Sequence, residues 1–471
     1  MNKNLLKLLI TIPLGLTLFI GQTSTLTMAE TKVKTEDKSP KQISVGYYPY
    51  YGDFSSINAA NLTHLNFAFG YIYHNETLPR PNMIDPSKTS DENLIGTIFL
   101  PEAVKASLKR IPELKNKNKD LKTLLSLGGW GGRGFCDAAA TKESRLKTAN
   151  SIKNIIKEYG LDGVDIDWEC PVNGGWGEIK FSPEDRHNYT LLVKDLREVL
   201  GNDKLITIAS GATWDYIVAG TEFAELGKIL DFINVMNYAY SYGGPKYDSA
   251  LYKSSNDPGG INTDDLLKAC VNQGVPKEKL VMGTAFFGKI PTDNSGAPNY
   301  INMNILSKLG LTSSGDYGYA YNYIKTLKNK AGVEERWDDE SKNPYLVYVD
   351  PVTKTESFII SFDNAKSMLI KGRYAKENGY GGVMVWEVTQ DSQNELLNNL
   401  YNGLYTDFSV NKAADLNNDG IVDTLDISYI ASQYNLSSTN INFNTSYDLN
   451  DDNIVDIYDI VLLSRTFSKL N

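Results

Sequence analysis

Eight short apolar runs, separated by segments of helical periodicity, constrain the fold of this chain more than any other feature. The intervening segments include residues 144–159 and 185–200, where apolar residues recur at helical spacing. Short strands that alternate with helices indicate parallel βα units. Eight such units predict an α/β fold that closes as a (β/α)8, or TIM, barrel. The runs begin at Ile43, His64, Thr123, Val164, Leu205, Phe232, Leu280 and Gly382.

The fourth run carries a row of acids. Asp165, Asp167 and Glu169 alternate with apolar residues, and because successive side chains of a strand point to opposite faces, the three carboxyl groups share one face. Like charges this close cannot all stay ionised, so at least one carboxyl pKa is raised, which keeps an acid protonated for general acid catalysis. A solvated acidic strand and a divalent-metal site are the alternatives, but the apolar opposite face favours a barrel interior. Glu169 ends the strand at the carboxyl face of the predicted barrel, where active sites of such barrels form.

Residues 162–169 resemble the Asp-Gly-x-Asp-x-Asp-x-Glu signature of family 18 glycoside hydrolases, the chitinase family. Enzymes of this family use the substrate's own 2-acetamido group in place of a second carboxylate. The resemblance implies that Glu169 protonates the glycosidic oxygen, while Asp167 orients the acetamido N–H and shares a proton with Asp165. It also implies that Tyr238 hydrogen-bonds the acetamido carbonyl. The substrate would then carry N-acetylglucosamine at the cleaved bond, as chitin and its oligomers do.

Other family motifs fall on the predicted strands. Residues 126–129 are similar to the Ser-x-Gly-Gly motif of the third strand, and Trp130 follows them. Trp386 matches the strand-eight tryptophan that forms the floor of the cleavage subsite in the family, where an aromatic face stacks on a sugar ring. The resemblance adds Tyr48 and Met236 as candidates for substrate binding. For Trp130, core packing is an equal alternative.

One motif departs from the family. The sixth strand of the family usually reads Met-x-Tyr-Asp, whereas this chain reads Met236-Asn237-Tyr238-Ala239. In the family, the Asp helps to hold the substrate's acetamido group and the hydrogen-bond network of the acid. Its replacement by Ala239 leaves Glu169 in place but puts catalytic efficiency or substrate identity in question.

The resemblance covers residues 43–406, which is longer than the ~250 residues of a plain barrel. The surplus falls between the seventh and eighth strands, at about residues 289–375. It resembles the small α+β insertion that walls one side of the substrate groove in many family 18 chitinases. We therefore expect an α+β insertion at this place in the barrel.

The amino-terminal residues predict export. A basic start and an apolar run that ends near residues 27–29 are typical of a secretory signal peptide, here residues 1–29, with a spacer over 30–42. A transmembrane anchor is the alternative, although the apolar run is short and interrupted. The formal net charge of −10 and the lack of a basic cluster argue against nucleic acid and anionic membranes as partners. Of the three cysteines, Cys136 and Cys170 form a disulfide or remain two thiols; the sequence leaves both open.

Residues 407–471 are predicted to form a second unit that contains two similar loops. Each loop places oxygen ligands at positions 1, 3, 5, 9 and 12 and a backbone carbonyl at position 7, as calcium-binding EF-hand loops do. An Asp at position 12 departs from the usual Glu. The candidate ligands are Asp415, Asn417, Asp419, Ile421, Asp423 and Asp426 in the first loop, and Asp448, Asn450, Asp452, Ile454, Asp456 and Asp459 in the second.

Two calcium loops, each followed by an apolar helical pattern, resemble a dockerin when they end a secreted glycoside hydrolase. A dockerin is a small all-α module that binds a cohesin domain of a cellulosome scaffold. The resemblance implies two structural Ca2+ ions in this unit and none for catalysis. A solvated acidic tail is the alternative, but its clustered Asp residues would repel one another without bound cations.

Three functions are compatible with these features. The first is a secreted chitinase that acts on β-1,4-linked N-acetylglucosamine polymers. The second is a non-catalytic chitin-binding lectin on the same barrel, which only Ala239 supports. The third is a hydrolase of peptidoglycan or N-glycan cores. Internal attack and attack from a chain end are equally compatible with the sequence.

Overall fold

The computed structural model describes residues 42–405 except 81, 178, 212, 214, 241–243, 296 and 312–317, together with residues 414–417, 422–449 and 452–467. The predicted signal peptide and the predicted spacer up to residue 41 lie outside the described residues. No helix among the described residues is both long and apolar enough to span a bilayer.

The strands of the described residues form two sheets. In chain order they are β1 (Ile43–Pro49), β2 (His64–Ile72), β3 (Ile98–Phe99), β4 (Lys122–Gly128), β5 (Gly163–Asp167), β6 (Leu205–Ser210), β7 (Phe232–Val235), β8 (Leu280–Ala285), β9 (Phe287–Lys289), β10 (Gly318–Ala320), β11 (Val333–Asp338), β12 (Asn343–Val349), β13 (Glu356–Ser361) and β14 (Gly382–Trp386).

The first sheet is a closed parallel barrel. Hydrogen bonds follow the order β1, β14, β8, β7, β6, β5, β4, β2, and β2 pairs back to β1. The short strand β3 pairs antiparallel with the end of β2. The predicted (β/α)8 barrel is thereby confirmed in the described residues, with each predicted strand at its predicted place. A closed barrel leaves no exposed edge strand, which removes the risk of edge-to-edge association.

The second sheet lies in the chain between β8 and β14. In the described residues it has the order β10, β9, β13, β12, β11, and its strands pair antiparallel. A bulge between Leu346 and Val347 shifts the register of β12 against β13. Such bulges bend a strand and increase its twist.

Helices separate most of the barrel strands. They are α1 (Glu102–Leu108), α2 (Ile111–Lys117), α3 (Phe135–Ala140), α4 (Lys142–Tyr159), α5 (Gly174–Gly177), α6 (Asp185–Leu200), α7 (Phe223–Ile229), α8 (Thr263–Asn272), α9 (Met303–Leu309), α10 (Tyr321–Leu327), α11 (Ala365–Glu377), α12 (Glu395–Tyr405), α13 (Thr424–Ser432) and α14 (Ile457–Phe467).

The helix α4 shows how local sequence sets the bounds of an element. Thr141 and Ser144 form a reciprocal capping box at its start. The helix ends where Gly160 adopts a φ of 66°, a left-handed conformation that glycine takes without a steric penalty. Ile152 and Ile156 lie on one face and are buried, and burial of each side chain stabilises the fold by about 1.5–3 kcal/mol.

The barrel has an apolar outer layer and a mixed interior. Large aliphatic and aromatic side chains fill the space between strands and helices. Inside the barrel, a small apolar cluster includes Val45, Tyr47 and Met384, while Asp165 and Asn234 are fully buried polar groups. A buried polar group is costly unless it is hydrogen-bonded. The buried polar groups inside the barrel therefore indicate a functional site there.

Candidate active site

The acid row lies on β5, and its side chains alternate as the sequence predicts. Asp165 and Asp167 are buried and face the same side, because β4 and β6 present Ser126 and Thr207 beside Asp165. Trp168 points to the opposite side, where its ring stacks on Phe135 at 5.3 Å. The alternation therefore sends the acids into the barrel and Trp168 into the outer core.

Asp165 is surrounded by four hydrogen-bond donors. Its Oδ2 accepts from the hydroxyls of Tyr47 and Ser126, each at 2.7 Å. Its Oδ1 accepts from the hydroxyl of Thr207 at 2.6 Å and from Nδ2 of Asn234 at 3.3 Å. Burial raises the pKa of Asp165, and the four donors oppose that shift because they stabilise the carboxylate. Asp165 is thus fixed as an acceptor at the base of the row.

Asp167 lies above Asp165 in a different environment. Burial raises its pKa well above the usual range, and the negative charges of Glu169 and Asp165 raise it further. Its Oδ1 has no hydrogen-bond partner among the described residues. A buried carboxyl oxygen without a partner is costly, so Asp167 is free to bond a group that enters the barrel mouth.

Glu169 follows the end of β5 and is half-buried. Burial raises the pKa of its carboxyl group to about 7. A carboxylic acid with this pKa is substantially protonated at neutral pH, which is the requirement for a general acid. Glu169 is therefore the member of the row best placed to donate a proton at the mouth.

Aromatic side chains surround the mouth of the barrel. Trp386, at the end of β14, is half-buried and stacks on Phe69 with ring centroids 5.6 Å apart. Tyr238 follows β7, and its hydroxyl lies 3.9 Å from Sδ of Met384 in the inner apolar cluster. Burial raises the pKa of Tyr238, and the charges of Asp167 and Glu169 raise it further. Met236 lies two residues before Tyr238 and contacts the inner apolar cluster. The structure thus brings Trp386, Tyr238 and Met236 to the same end of the barrel as the acids.

Trp130 follows β4 and is 56% exposed. This exposure excludes the core-packing alternative. An exposed indole at the carboxyl end of a barrel strand is suited to stacking on a sugar ring.

The structure corrects the prediction for Tyr48. The Tyr48 ring is buried in the outer layer, where it contacts Phe54 and Phe67 edge-on, and its hydroxyl donates to the Gly52 carbonyl at 3.0 Å. The neighbouring Tyr47 faces the barrel interior instead, because adjacent side chains of a strand point to opposite sides. Tyr48 is therefore not brought to the site.

Besides Tyr47, two donors around Asp165 have no counterpart among the sequence predictions. Thr207 and Asn234 lie on β6 and β7, and each occupies an inward position of its strand. Their polar character within otherwise apolar strands is the only sequence signal that marks them. That signal becomes specific only when the strand register shows which of them face Asp165.

A glycine allows β4 to approach the acid strand closely. A Cβ atom on Gly128 would lie 2.3 Å from the carbonyl oxygen of Asp167, which is closer than any side chain allows. The next amide, that of Gly129, donates to the same carbonyl at 3.0 Å. The Gly-Gly pair therefore holds the loop that carries Trp130 against the acid strand.

The three cysteines are free thiols. Burial raises the pKa of Cys136 to about 12, and burial together with the charges of Glu169 and Asp167 raises that of Cys170. Both groups therefore stay protonated at neutral pH and are poor nucleophiles. In the structure, Cys136 and Cys170 are two thiols and form no disulfide with each other.

Residues 43–391 match the sequence model of the family described as glycosyl hydrolases family 18. The chain belongs to this family. Chitinase A1 of Niallia circulans is 32% identical over 408 residues, which cover 76% of this chain and 57% of the relative. The chain thus spans little more than half the length of that relative.

Solved structures of the family share the fold. A chitinase from Bacillus thuringiensis aligns with a TM-score of 0.64 at 30% identity and covers 77% of this chain and 70% of its own. A family 18 N-acetylglucosaminidase from Paenibacillus barengoltzii aligns with a TM-score of 0.60 at 33% identity and covers 77% of this chain and all of its own. One of these neighbours is thus named a chitinase and the other an N-acetylglucosaminidase.

Ala239 occupies the position of the family Asp in a left-handed backbone conformation, with a φ of 64°, and its side chain is exposed. Asp adopts this conformation more readily than most residues. On the substrate-assisted mechanism that the family resemblance implies, we expect Ala239→Asp to raise turnover of chitin oligomers by about tenfold, because a new charge-assisted hydrogen bond to the acetamido group would strengthen in the transition state.

The matched control for this exchange is Ala239→Asn, which has the same shape without the charge and should raise turnover less. Steady-state kinetics on one oligomer series compares the two variants. Unchanged or lower turnover in Ala239→Asp would mean that the site has been rebuilt around Ala239.

The two carboxy-terminal loops share two internal hydrogen bonds. In each loop, the position-12 carboxylate, Asp426 or Asp459, accepts the backbone N–H groups of positions 2 and 9 at 2.7–2.8 Å. The candidates Asp419, Ile421 and Asn450 lie outside the described residues. Within the described residues, the His, Cys, Asp and Glu side chains form no group of three or more that is set to hold a metal.

The donor set of the loops nevertheless fits a hard cation in its chemistry. Asp415, Asp426, Asp448 and Asp459 each expose less than a tenth of their surface. Burial raises the pKa of Asp426, and the charge of Asp415 adds to that shift. Carboxylate, amide and backbone carbonyl oxygens are the ligands that calcium prefers, so this donor set suits calcium.

Proposed function

We propose that this chain is a secreted chitinase that hydrolyses β-1,4-linked N-acetylglucosamine polymers. The observation that carries the proposal is the position of Glu169 at the barrel mouth, with a carboxyl pKa of about 7, directly beyond the buried pair Asp165 and Asp167. Trp386 beside this row provides an apolar ring for a sugar. The names of the relatives in the family are consistent with this substrate class.

The proposed mechanism is retaining and substrate-assisted. Glu169 gives its proton to the glycosidic oxygen while the carbonyl oxygen of the substrate's acetamido group attacks the anomeric carbon, and the bond to the leaving sugar breaks. Glu169, now a carboxylate, then takes a proton from a water molecule that attacks the anomeric carbon and opens the cyclic intermediate. The second step restores both the acid and the acetamido group.

The other members of the site orient the attacking group. In this proposal, Oδ1 of Asp167, which has no partner among the described residues, accepts the acetamido N–H. Tyr238 donates to the acetamido carbonyl. A site with an unsatisfied buried polar atom discriminates strongly against ligands that cannot bond it, so a sugar without the 2-acetamido group should be a poor substrate.

We expect the first product to keep the β-configuration, since two successive inversions at the anomeric carbon restore it. Thiazoline analogues of the oxazolinium intermediate should inhibit competitively, because they mimic a species that the site binds more tightly than substrate. Proton NMR of the product during the first minutes of hydrolysis measures the anomer. An initial α-anomer would rule out substrate assistance.

Two other functions differ from this proposal in measurable ways. A chitin-binding lectin would bind oligomers without hydrolysing them, and Ala239 is the feature in its favour. A hydrolase of peptidoglycan or N-glycan cores would share the mechanism but prefer a different polymer. Turnover of chitin oligomers, compared with that of peptidoglycan fragments at equal concentration, separates the three functions. End products from a long oligomer would distinguish internal from terminal attack.

We also propose that residues 407–471 form a dockerin-like module that binds a cohesin domain of a scaffold protein and holds two structural Ca2+ ions. The equivalent hydrogen bonds of Asp426 and Asp459 in the two loops support this assignment. The twelve ligands named from the sequence would hold the ions. The proposed signal peptide over residues 1–29 would export the enzyme, and the sheet between β8 and β14 would serve as the α+β insertion that walls the groove.

A further inference from the structure

The carboxylate of Glu76 connects two loops at the carboxyl face of the barrel. Glu76 lies in the loop after β2 and is only 8% exposed. Its Oε1 accepts the backbone N–H of Gly134 at 2.8 Å, and its Oε2 accepts the backbone N–H of Lys180 at 3.1 Å. Hydrogen bonds to a charged acceptor are roughly twice as strong as neutral ones. One buried side chain therefore fixes two backbone segments that are far apart in the chain.

Both segments adjoin the candidate active site. Gly134 ends the loop that follows β4 and carries Trp130, and Lys180 belongs to the segment that follows Glu169. These segments also approach one another, since a Cβ atom on Gly175 would lie 3.7 Å from the Trp130 ring and 3.3 Å from the carbonyl oxygen of Glu169. The position of the Trp130 ring relative to Glu169 thus depends on the contact that Glu76 maintains.

Glu76 is itself held from both sides. Its backbone N–H donates to Nδ1 of His74 at 3.1 Å, and its carbonyl accepts from Nζ of Lys88 at 2.8 Å. Because Nδ1 of His74 is an acceptor, Nε2 carries the ring proton and donates to Asp85 at 3.1 Å. Asp85 also accepts from the backbone N–H and hydroxyl of Ser87. These hydrogen bonds therefore hold the loop after β2, and with it the Glu76 carboxylate, in one position.

We infer that Glu76 is a positioning residue for substrate binding: it fixes the wall of the cleft that carries Trp130 relative to the acid Glu169. This inference rests on the proposed function and extends it to the length of the substrate. Oligomers long enough to reach Trp130 depend on Glu76, whereas shorter oligomers that occupy only the sugar sites around Trp386 do not.

The first test uses hydrogen exchange in the full-length protein and needs no substrate. Glu76→Gln replaces one acceptor oxygen by an NH2 group that faces a backbone N–H, so at least one of the two hydrogen bonds is lost. We expect exchange of the peptides that contain Gly134 and Lys180 to accelerate by about tenfold, with the barrel strands unchanged. Unchanged exchange at both peptides would overturn the inference, whatever the protein does to chitin.

The second test compares oligomers of increasing length. We expect Glu76→Gln to raise KM for the hexasaccharide by about tenfold, with kcat and the kinetics of the shortest cleavable oligomer changed by less than about twofold. The control is Asp195→Asn, which breaks the buried pair with Arg145 between α4 and α6. This exchange destabilises the fold away from the site and should affect all lengths equally.

A double-mutant comparison separates positioning from general destabilisation. If Glu76 acts through Trp130, the double variant Glu76→Gln, Trp130→Ala should have a KM for the hexasaccharide within about twofold of that of Trp130→Ala alone. The reason is that the effects of substitutions at coupled residues do not add. Full additivity, or an equal loss at every oligomer length, would overturn the inference and leave the proposed chitinase activity standing. A wild-type protein that cleaves no chitin oligomer would instead refute the proposed function, and hydrogen exchange alone would then decide the role of Glu76.

Discussion

Glu169→Gln is expected to lower turnover of chitin oligomers by at least about a thousandfold and to leave their binding within about twofold. The amide keeps the shape of the side chain but has no acidic proton for the glycosidic oxygen. The measurement pairs single-turnover hydrolysis with calorimetric binding of a hexasaccharide. Glu113→Gln is the matched control, since Glu113 pairs with Arg110 on the exposed surface and should leave turnover unchanged. Activity within about tenfold of wild type would exclude Glu169 as the acid.

Because the pKa of Glu169 is raised, kcat/KM is expected to depend on pH. With a carboxyl pKa of about 7, the group carries its proton below that pH and loses it above. The rate constant kcat/KM should therefore fall about tenfold per pH unit on the alkaline side of pH 7, because only the protonated form can act as acid. A pH profile of kcat/KM measures this limb. A profile that is flat to pH 9 would contradict the assignment.

The isolated residues 411–471 are expected to fold only with calcium. Their described buried apolar cluster is small, made of Ala414, Val422, Ile430, Val455 and Leu463, and a core of this size cannot offset the entropy of an ordered chain. Repulsion between buried carboxylates adds to the cost, as the effect of Asp415 on the pKa of Asp426 indicates. Cation binding would remove that repulsion and supply folding free energy directly.

Helical circular dichroism of the isolated tail should accordingly appear on addition of calcium and disappear with chelator. Asp415→Ala combined with Asp448→Ala should abolish this response and capture by a cohesin domain, while chitin hydrolysis by the full chain stays within about twofold of wild type. Asn440→Ala combined with Asn442→Ala, between the loops, is the matched control. A tail that is equally helical in chelator would argue against a dockerin, and loss of barrel activity in chelator would place a calcium site outside the tail.

The architecture could be predicted because its signals are local. Each barrel strand is a short apolar run, each long helix repeats its apolar residues at helical spacing, and the acids of β5 alternate within a single strand. The row of Asp165, Asp167 and Glu169 could be read from three positions without knowledge of any other strand. For the same reason, Trp386 and Trp130 could be assigned to strand ends.

The surroundings of the acids depend on long-range register, which no local pattern encodes. Both Tyr47 and Tyr48 are compatible with an apolar strand, and only the pairing of β1 with its neighbours decides which of them faces inward. Thr207 and Asn234 become partners of Asp165 through strand pairings that span the chain. Glu76 lies in a loop after β2, where no periodic pattern could connect it with Gly134 or Lys180.

The donors to Asp165 come from β1, β4, β6 and β7, which are distributed around the barrel and span residues 47–234. Tyr47 lies on β1, the strand that joins the last strand of the barrel to the second. The environment of the acid row therefore depends on four strands besides β5 itself. A fragment that retains the whole signature at 162–169 but lacks β1, β6 or β7 would leave Asp165 without part of its hydrogen-bond shell.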